Sequence, residues 1–454
     1  VSNLASIQDQ PYIQVIDKES SVRSINNAIF IFYILMFLEG MLRKWVAPQL
    51  SSAFFFIKDP VLLYMYYICW KKRMFPKTVV FQCSVILSVI FFMVAMTQML
   101  IYTSAFFISV YGWRSYFMFM PLAFIMQKHM TKKDVIRIAK FTCLIGIPIA
   151  ILCYIQYMNP PEAFINRNAG ENSGVGFTVI GDIVRPYGPF SFVTGMSFFT
   201  SSYLLMILYN FMLNKKEKFL SPTLLFFSFA SFITALAVSG SRETFIKVII
   251  LVPFAMVGYL MLYKNKKTFN SLIIFIVVGA IAIVAYFIIF SKEVEIMNER
   301  VEVAEAVEGS VFTRATHSFI SFEDIDMHLN FLGVGIGLGS SGGSFLQSGI
   351  VQFNIAESDW GKIIVECGVF FGFLYLAYRA LLCIYMSVMS IKATFAGKSP
   401  MPMILIGYEF HTMLIGQMVS TGIHLAYGWF FLGFTLALNN IYIKEGEQNS
   451  QGNI

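Results

Sequence analysis

Apolar residues in this chain come in runs of about twenty, much longer than a strand or one face of an amphipathic helix requires. The runs fall at about 27–46, 53–70, 79–98, 105–126, 141–158, 191–213, 219–238, 243–263, 269–290, 361–390, 401–420 and 424–441. A helix rises about 1.5 Å per residue, so each run is close to the length that crosses a hydrocarbon core about 30 Å thick. The pattern predicts an all-α polytopic membrane protein of about twelve transmembrane helices, a single membrane domain over residues 1–454. The first 27 residues are polar and lack the layout of a cleavable signal, so the first span is expected to anchor itself.

The polar breaks between runs give an orientation. With the amino terminus inside, the breaks KKRMFPK, QKHMTKKDVIRIAK, NKKEK, KNKK and IKATFAGK all fall on the cytoplasmic side, as does the tail KEGEQNSQGNI. Short cytoplasmic loops carry the excess of lysine and arginine, so an even number of spans with both termini cytoplasmic fits best. Arg43-Lys44 is the exception, falling outside after the first span. Two external breaks are long, 159–190 and 291–360. The second is rich in acids, and its segment KEVEIMNERVEVAEAVE is expected to continue the ninth helix or to lie at the interface. Long loops in a compact domain usually carry function.

Composition agrees: 57% of the residues are hydrophobic and only 13% charged, against roughly 45–50% and about 25% in soluble domains. The net charge of +7 is spread over the inner loops, and no nucleic-acid partner is expected. The six cysteines sit in or beside apolar runs with no spacing that suggests a metal site or a disulfide set. GLGSSG at 337–342 fits a dinucleotide-binding fingerprint by letter, yet no βαβ pattern surrounds it. It reads instead as a flexible chain returning to the membrane.

Charged residues near the membrane are costly enough to need a reason, about 2.5–3.5 kcal/mol each on insertion scales. Glu39 and Arg43 are spaced as an i,i+4 surface pair, and Lys58 and Asp59 read as neutralising each other at the start of the second span. Arg114 and Arg379 read as snorkelling or as pairing inside the bundle. Arg185 in IVRPYGPF, Arg242 in VSGSRETF and Arg314 in SVFTRATHSF stand apart, each at the outer face beside glycine, serine or threonine. A guanidinium grips phosphate oxygens in two-point contact, so three of them around one cavity would hold a diphosphate without a metal. No cofactor is expected.

These segments also carry a resemblance. RPYGPFSFVTG resembles the R-x-x-G-x-F segment of the O-antigen polymerase and O-antigen ligase superfamily, and SGSRETF is similar to its S-R turn. RATHSFISFEDIDMHLNFLGVGIG looks like its arginine-led stretch, and AESDWGKIIVECGVFFG resembles its H-N-x-x-L-x-x-x-x-E-x-G-x-x-G segment. The likeness covers about 185–372, in the family's order and on one membrane face. Glu357-Ser358 stand where ligases have histidine-asparagine, and the last glycine, Gly372, comes one residue late, which favours the polymerase branch.

The resemblance implies a glycosyltransferase of the bacterial cytoplasmic (inner) membrane, using a glycan donor carried on undecaprenyl diphosphate. The product would be O-antigen, capsule or exopolysaccharide, and a chain-length-regulating co-polymerase is a possible partner. In that frame Arg185, Arg242 and Arg314 hold the diphosphate, and Glu357 or His317 deprotonates the acceptor hydroxyl. Glu366 orients an arginine and Lys58 supports the site. The alternatives are a ligase that transfers chains to lipid A core and, in a different class, a lipid-linked oligosaccharide flippase.

Overall fold

The computed structural model describes residues 5–102, 106–169, 175–178, 182–262, 266–308, 331–340, 342–343 and 358–451. Arg314, His317 and Glu357, with most of the expected second loop, lie outside these residues. The described part is a helical bundle: α1 Ala5–Met41, α2 Asp59–Lys71, α3 Val79–Tyr102, α4 Phe106–Trp113, α5 Met120–His129, α6 Lys132–Met158, α7 Val193–Met212 and α8 Pro222–Val238. It continues with α9 Arg242–Met261, α10 Lys266–Ile289, α11 Ser291–Glu308, α12 Asp359–Cys367, α13 Val369–Gly397, α14 Met401–Ile415 and α15 Gly422–Gln451. A single bridge between Thr178 and Val184 is the only β-type pairing among the described residues, so no βαβ unit is present there.

Among these residues seven helical segments are long and apolar enough to cross a membrane, which makes the chain an all-α, multi-pass membrane protein. Their outer faces expose large apolar side chains such as Leu63, Trp70, Ile86, Leu100, Ile249, Ile281, Ile288 and Ile384. Polar groups sit inside instead. Helix α7 buries Ser197, Thr200, Ser201, Ser202 and Asn210 and falls outside the seven because of them. Its serine hydroxyls are satisfied locally: Ser201 donates to the Ser197 carbonyl (2.7 Å) and Ser202 to that of Phe199 (2.9 Å). Helix α15, buried along most of His424–Asn439, packs against α5, α13, α14 and α7 and forms the centre of the bundle with Trp429, Phe430, Phe431 and Phe434.

Helix ends follow from local chemistry. Thr131 and Asp134 form a capping box at the start of α6, and Ser221 followed by Pro222 starts α8. The run expected as one span over 361–390 is broken at Gly368, whose φ of +80° divides α12 from α13. The run at 105–126 is likewise divided, by a π turn at Arg114–Met118 between α4 and α5. Helix α1 reaches back through the polar amino-terminal stretch, and Ser291–Glu308 continues from α10, with the Phe290 amide bonding the Tyr286 carbonyl and the Val294 amide that of Phe290.

The basic breaks converge at one end of the bundle. Lys132 pairs with Glu217 (2.8 Å) and Glu445 (3.2 Å), Lys72 pairs with Asp17 (2.5 Å), and Lys128 donates to the carbonyls of Met74 and Phe75. The amino-terminal ends of α7, α9 and α15 lie at the opposite end. Arg43 and Lys44, the exceptions to the charge pattern, are held there. Arg43 bonds Glu39 and Ser51, and buried Lys44 donates to the Gly188 carbonyl at 2.6 Å.

Candidate functional site: a charged cavity beneath two arginines

The turn before α7 is pinned from several sides. Gln156 accepts from the Gly188 amide (2.8 Å), and Asn166 donates to the carbonyls of Gln156, Asn159 and Pro160. The Arg185 amide bonds the Phe177 carbonyl at 2.7 Å. Arg185 therefore projects from a fixed backbone, and its Nη2 donates to Ser241 Oγ at 2.8 Å. Ser241 caps α9, and its hydroxyl lies 3.1 Å from Ser197 Oγ, which also accepts from Thr244 (2.8 Å). Arg242 is the first residue of the same helix. Of the three arginines named from the sequence, Arg185 thus bonds the cap residue of α9 and Arg242 is that helix's first residue; Arg314 is not described.

Directly beside this rim lies a cavity of about 270 Å³ lined by Thr194, Phe198, Glu243, Lys247, His411, Thr412, Ile415, Gly416, Gln417 and His424. Glu243 and Lys247 are one turn apart on α9 and pair at 2.8 Å. Lys247 Nζ sits 3.0 Å from the centroid of the Phe198 ring, so the ammonium is held by a carboxylate and an aromatic face together. His424 Nε2 is 4.0 Å from Glu243 Oε1, and its Nδ1 lies 2.6 Å from Thr421 Oγ1. Behind Lys247, the two oxygens of fully buried Glu409 make no hydrogen bond among the described residues. His411 and His424 lie on different helices, α14 and α15. The packing of α9, α14 and α15 brings them to one wall of the cavity. The signal that marks the site in sequence is Lys247 and Glu409, each deep inside an apolar run.

The other expected residues have different surroundings. Lys58 is buried against Glu39, which also binds Arg43 at 3.0 Å; Asp59 instead accepts from Arg114 Nε and Nη2, at 2.5 and 2.7 Å. Lys58 and Asp59 do not neutralise each other, because two inward-facing partners lie closer. Glu39 and Arg43 are a buried pair, not a surface one. Arg379 is buried with Asp359 (2.5 Å) and donates to the Met413 and Gly416 carbonyls, at 2.7 and 3.0 Å.

Glu366 has a structural position. Its carboxylate accepts from Tyr116 Oη (2.8 Å) and from the amides of Gly337 (3.1 Å) and Gly339 (2.6 Å). Gln98 fastens the same segment, donating to the Leu332 and Glu366 carbonyls and accepting from the Ile336 amide at 2.9 Å. The glycine run is therefore an ordered carboxylate cradle over residues 333–340, not a flexible return. Gly333, Gly335 and Gly337 all have positive φ, and a Cβ at Gly337 would lie 2.6 Å from the Gly112 Cα. The orienting role expected for Glu366 goes to these amides, which fill its lone pairs.

Among the described residues no three His, Cys, Asp or Glu side chains converge as ligands for a metal ion. All six cysteines are free thiols. No protein-family model matches this chain, and no curated protein matches its sequence.

Proposed function

We propose that this protein is a polysaccharide polymerase that joins oligosaccharide repeat units carried on undecaprenyl diphosphate, at the outer face of the bacterial cytoplasmic membrane. The observation that carries the reading is the bond from Arg185 to Ser241, the residue that caps α9 just before Arg242 and the cavity residue Glu243. Although Ser241 caps it, this helix amino terminus keeps its positive dipole end, and arginines at residues 185 and 242 offer forked donors for phosphate oxygens. Arg314, which follows the same pattern in sequence, is assigned to the same diphosphate, with Glu357 or His317 close to the acceptor.

Chemically the step displaces a lipid diphosphate from an anomeric carbon. Diphosphate already leaves readily, so the protein's task is to stabilise the charge that grows on it and to hold the acceptor in line. A twelve-span arrangement with both termini cytoplasmic puts the cavity on the outer side. Its support is the gathering of Lys72, Lys128 and Lys132 at the opposite end.

The test is genetic. In the strain that carries this protein, Arg185→Ala or Arg242→Ala at normal protein level is expected to leave single, unextended repeats on the surface. Full-length chains in either mutant remove that arginine from the phosphate site. A deletion strain separates the rivals: complete loss of attached chains indicates a ligase, and repeats trapped inside indicate a flippase.

A further inference from the structure

We propose that the cavity between α7, α9, α14 and α15 holds the acceptor sugar, seated on Glu243 and His424, with Glu243 as the base that takes the acceptor hydroxyl's proton. The assignment rests on the polymerase reading and moves the proton acceptor from the second loop to a transmembrane helix.

Four observations carry it. The first is spacing: Glu243 Oε1 and His424 Nε2 are 4.0 Å apart, too far to bond each other. A hydroxyl oxygen between them makes two ordinary hydrogen bonds of about 2.8 Å. The second is the direction of those bonds. Thr421 Oγ1 accepts from the His424 amide (3.4 Å), so its proton is free to go to Nδ1 at 2.6 Å. With the Thr421 proton donated to Nδ1, the ring proton is on Nε2, the tautomer this assignment requires. The imidazole then donates to the bridging oxygen, and the oxygen's own proton points to the carboxylate.

The third is access and size. The Glu243 side chain is 30% exposed while its partner Lys247 is 2% exposed, so the carboxylate faces the opening and the ammonium backs it. At about 270 Å³ the cavity lies just below the roughly 300–1,000 Å³ of pockets for drug-sized ligands, which suits one sugar ring. The fourth is unfilled bonding capacity. Thr412 Oγ1, on a residue 1% exposed, lines the cavity with no hydrogen-bond partner among the described residues, and the Oγ1 of half-buried Thr194 also has none there. A ring with several hydroxyls supplies the missing bonds.

In the step so drawn, the acceptor oxygen bonds to the anomeric carbon of the donor. The bond from that carbon to the diphosphate oxygen breaks, and its electron pair leaves with the lipid diphosphate between Arg185 and Arg242. The acceptor proton passes to Glu243 and then to water. Arg242 and Glu243 are adjacent in sequence, so leaving group and acceptor are addressed from successive residues of one helix end.

The experiment uses the purified full-length protein in liposomes with lipid-linked repeats, measuring initial rates of chain extension. Glu243→Gln is expected to lower kcat by about 10²–10⁴-fold, the usual contribution of a positioned base, with donor KM within about twofold. Glu243→Asp restores part of the rate, and His424→Gln raises the acceptor KM. Extension by the wild type together with near-normal kcat in Glu243→Gln overturns this assignment and leaves the polymerase reading standing. No extension by the wild type overturns the polymerase reading, and this assignment with it. A binding measurement does not depend on how Glu243→Gln folds. In an Ile415→Cys variant, the free, lipid-less repeat oligosaccharide is expected to slow alkylation of the new thiol; an unchanged alkylation rate removes the sugar from the cavity.

Discussion

Two groups of buried charge lie at the same end of this bundle, and they are built differently. Around α12, Glu366 accepts from Tyr116 and two glycine amides, while Asp359 binds Arg379 and Ser420. Each carboxylate there is matched by donors, at the cost of three glycines held at positive φ. In and behind the cavity beside α9, Glu243 shares one oxygen between Lys247 and a histidine too distant to bond, and cavity-lining Thr412 and Glu409 behind it carry oxygens with no hydrogen-bond partner among the described residues. A filled network fixes a shape; an unfilled one lined with ionisable groups is suited to a ligand. Arg379 connects the two, because the Gly416 carbonyl it holds belongs to the cavity wall.

The contrast predicts opposite responses to substitution. Arg379→Met strands Asp359 in the interior, so it is expected to cost about 3–5 kcal/mol, read as a large drop in the melting temperature of the detergent-purified protein. A melting temperature near wild type would mean that the α12 network is not what holds this end together. Gly333→Ala comes next. Its Cβ would lie 2.3 Å from the Glu366 carbonyl oxygen at a φ of +72°, with an expected cost of about 1–3 kcal/mol in the same melt. The smallest effect is expected on the other side of the comparison. Thr412→Val removes a hydroxyl that has no partner and keeps its shape, so stability should stay within about 0.5 kcal/mol or rise slightly. A loss as large as that of Gly333→Ala would show that this hydroxyl belongs to a structural network after all.

Sequence made the helical architecture and the sidedness of the basic loops legible, because run length and lysine placement are local properties. It also singled out Arg185 and Arg242, through their glycine, serine and threonine neighbours. Three-dimensional pairing was beyond it. Lys58 and Asp59 are adjacent in the chain but bind Glu39 and Arg114, on other helices. Glu366 has no sequence mark that distinguishes holding an arginine from holding a glycine loop, and the choice depends on Gln98 and Tyr116 arriving from far along the chain. His411 and His424 are on different helices, and only the packing of α14 and α15 against α9 gives them a shared wall with Glu243.

The central claim is that Arg185 and Arg242 grip a lipid-linked diphosphate above an acceptor cavity. It is tested most directly by reconstituting the purified protein with undecaprenyl-diphosphate-linked repeats and resolving product length. The account predicts a ladder of extended chains from the wild type and unextended repeats from the Arg185→Ala/Arg242→Ala double variant at equal folded protein. A full ladder from the double variant, or none from the wild type, would contradict it.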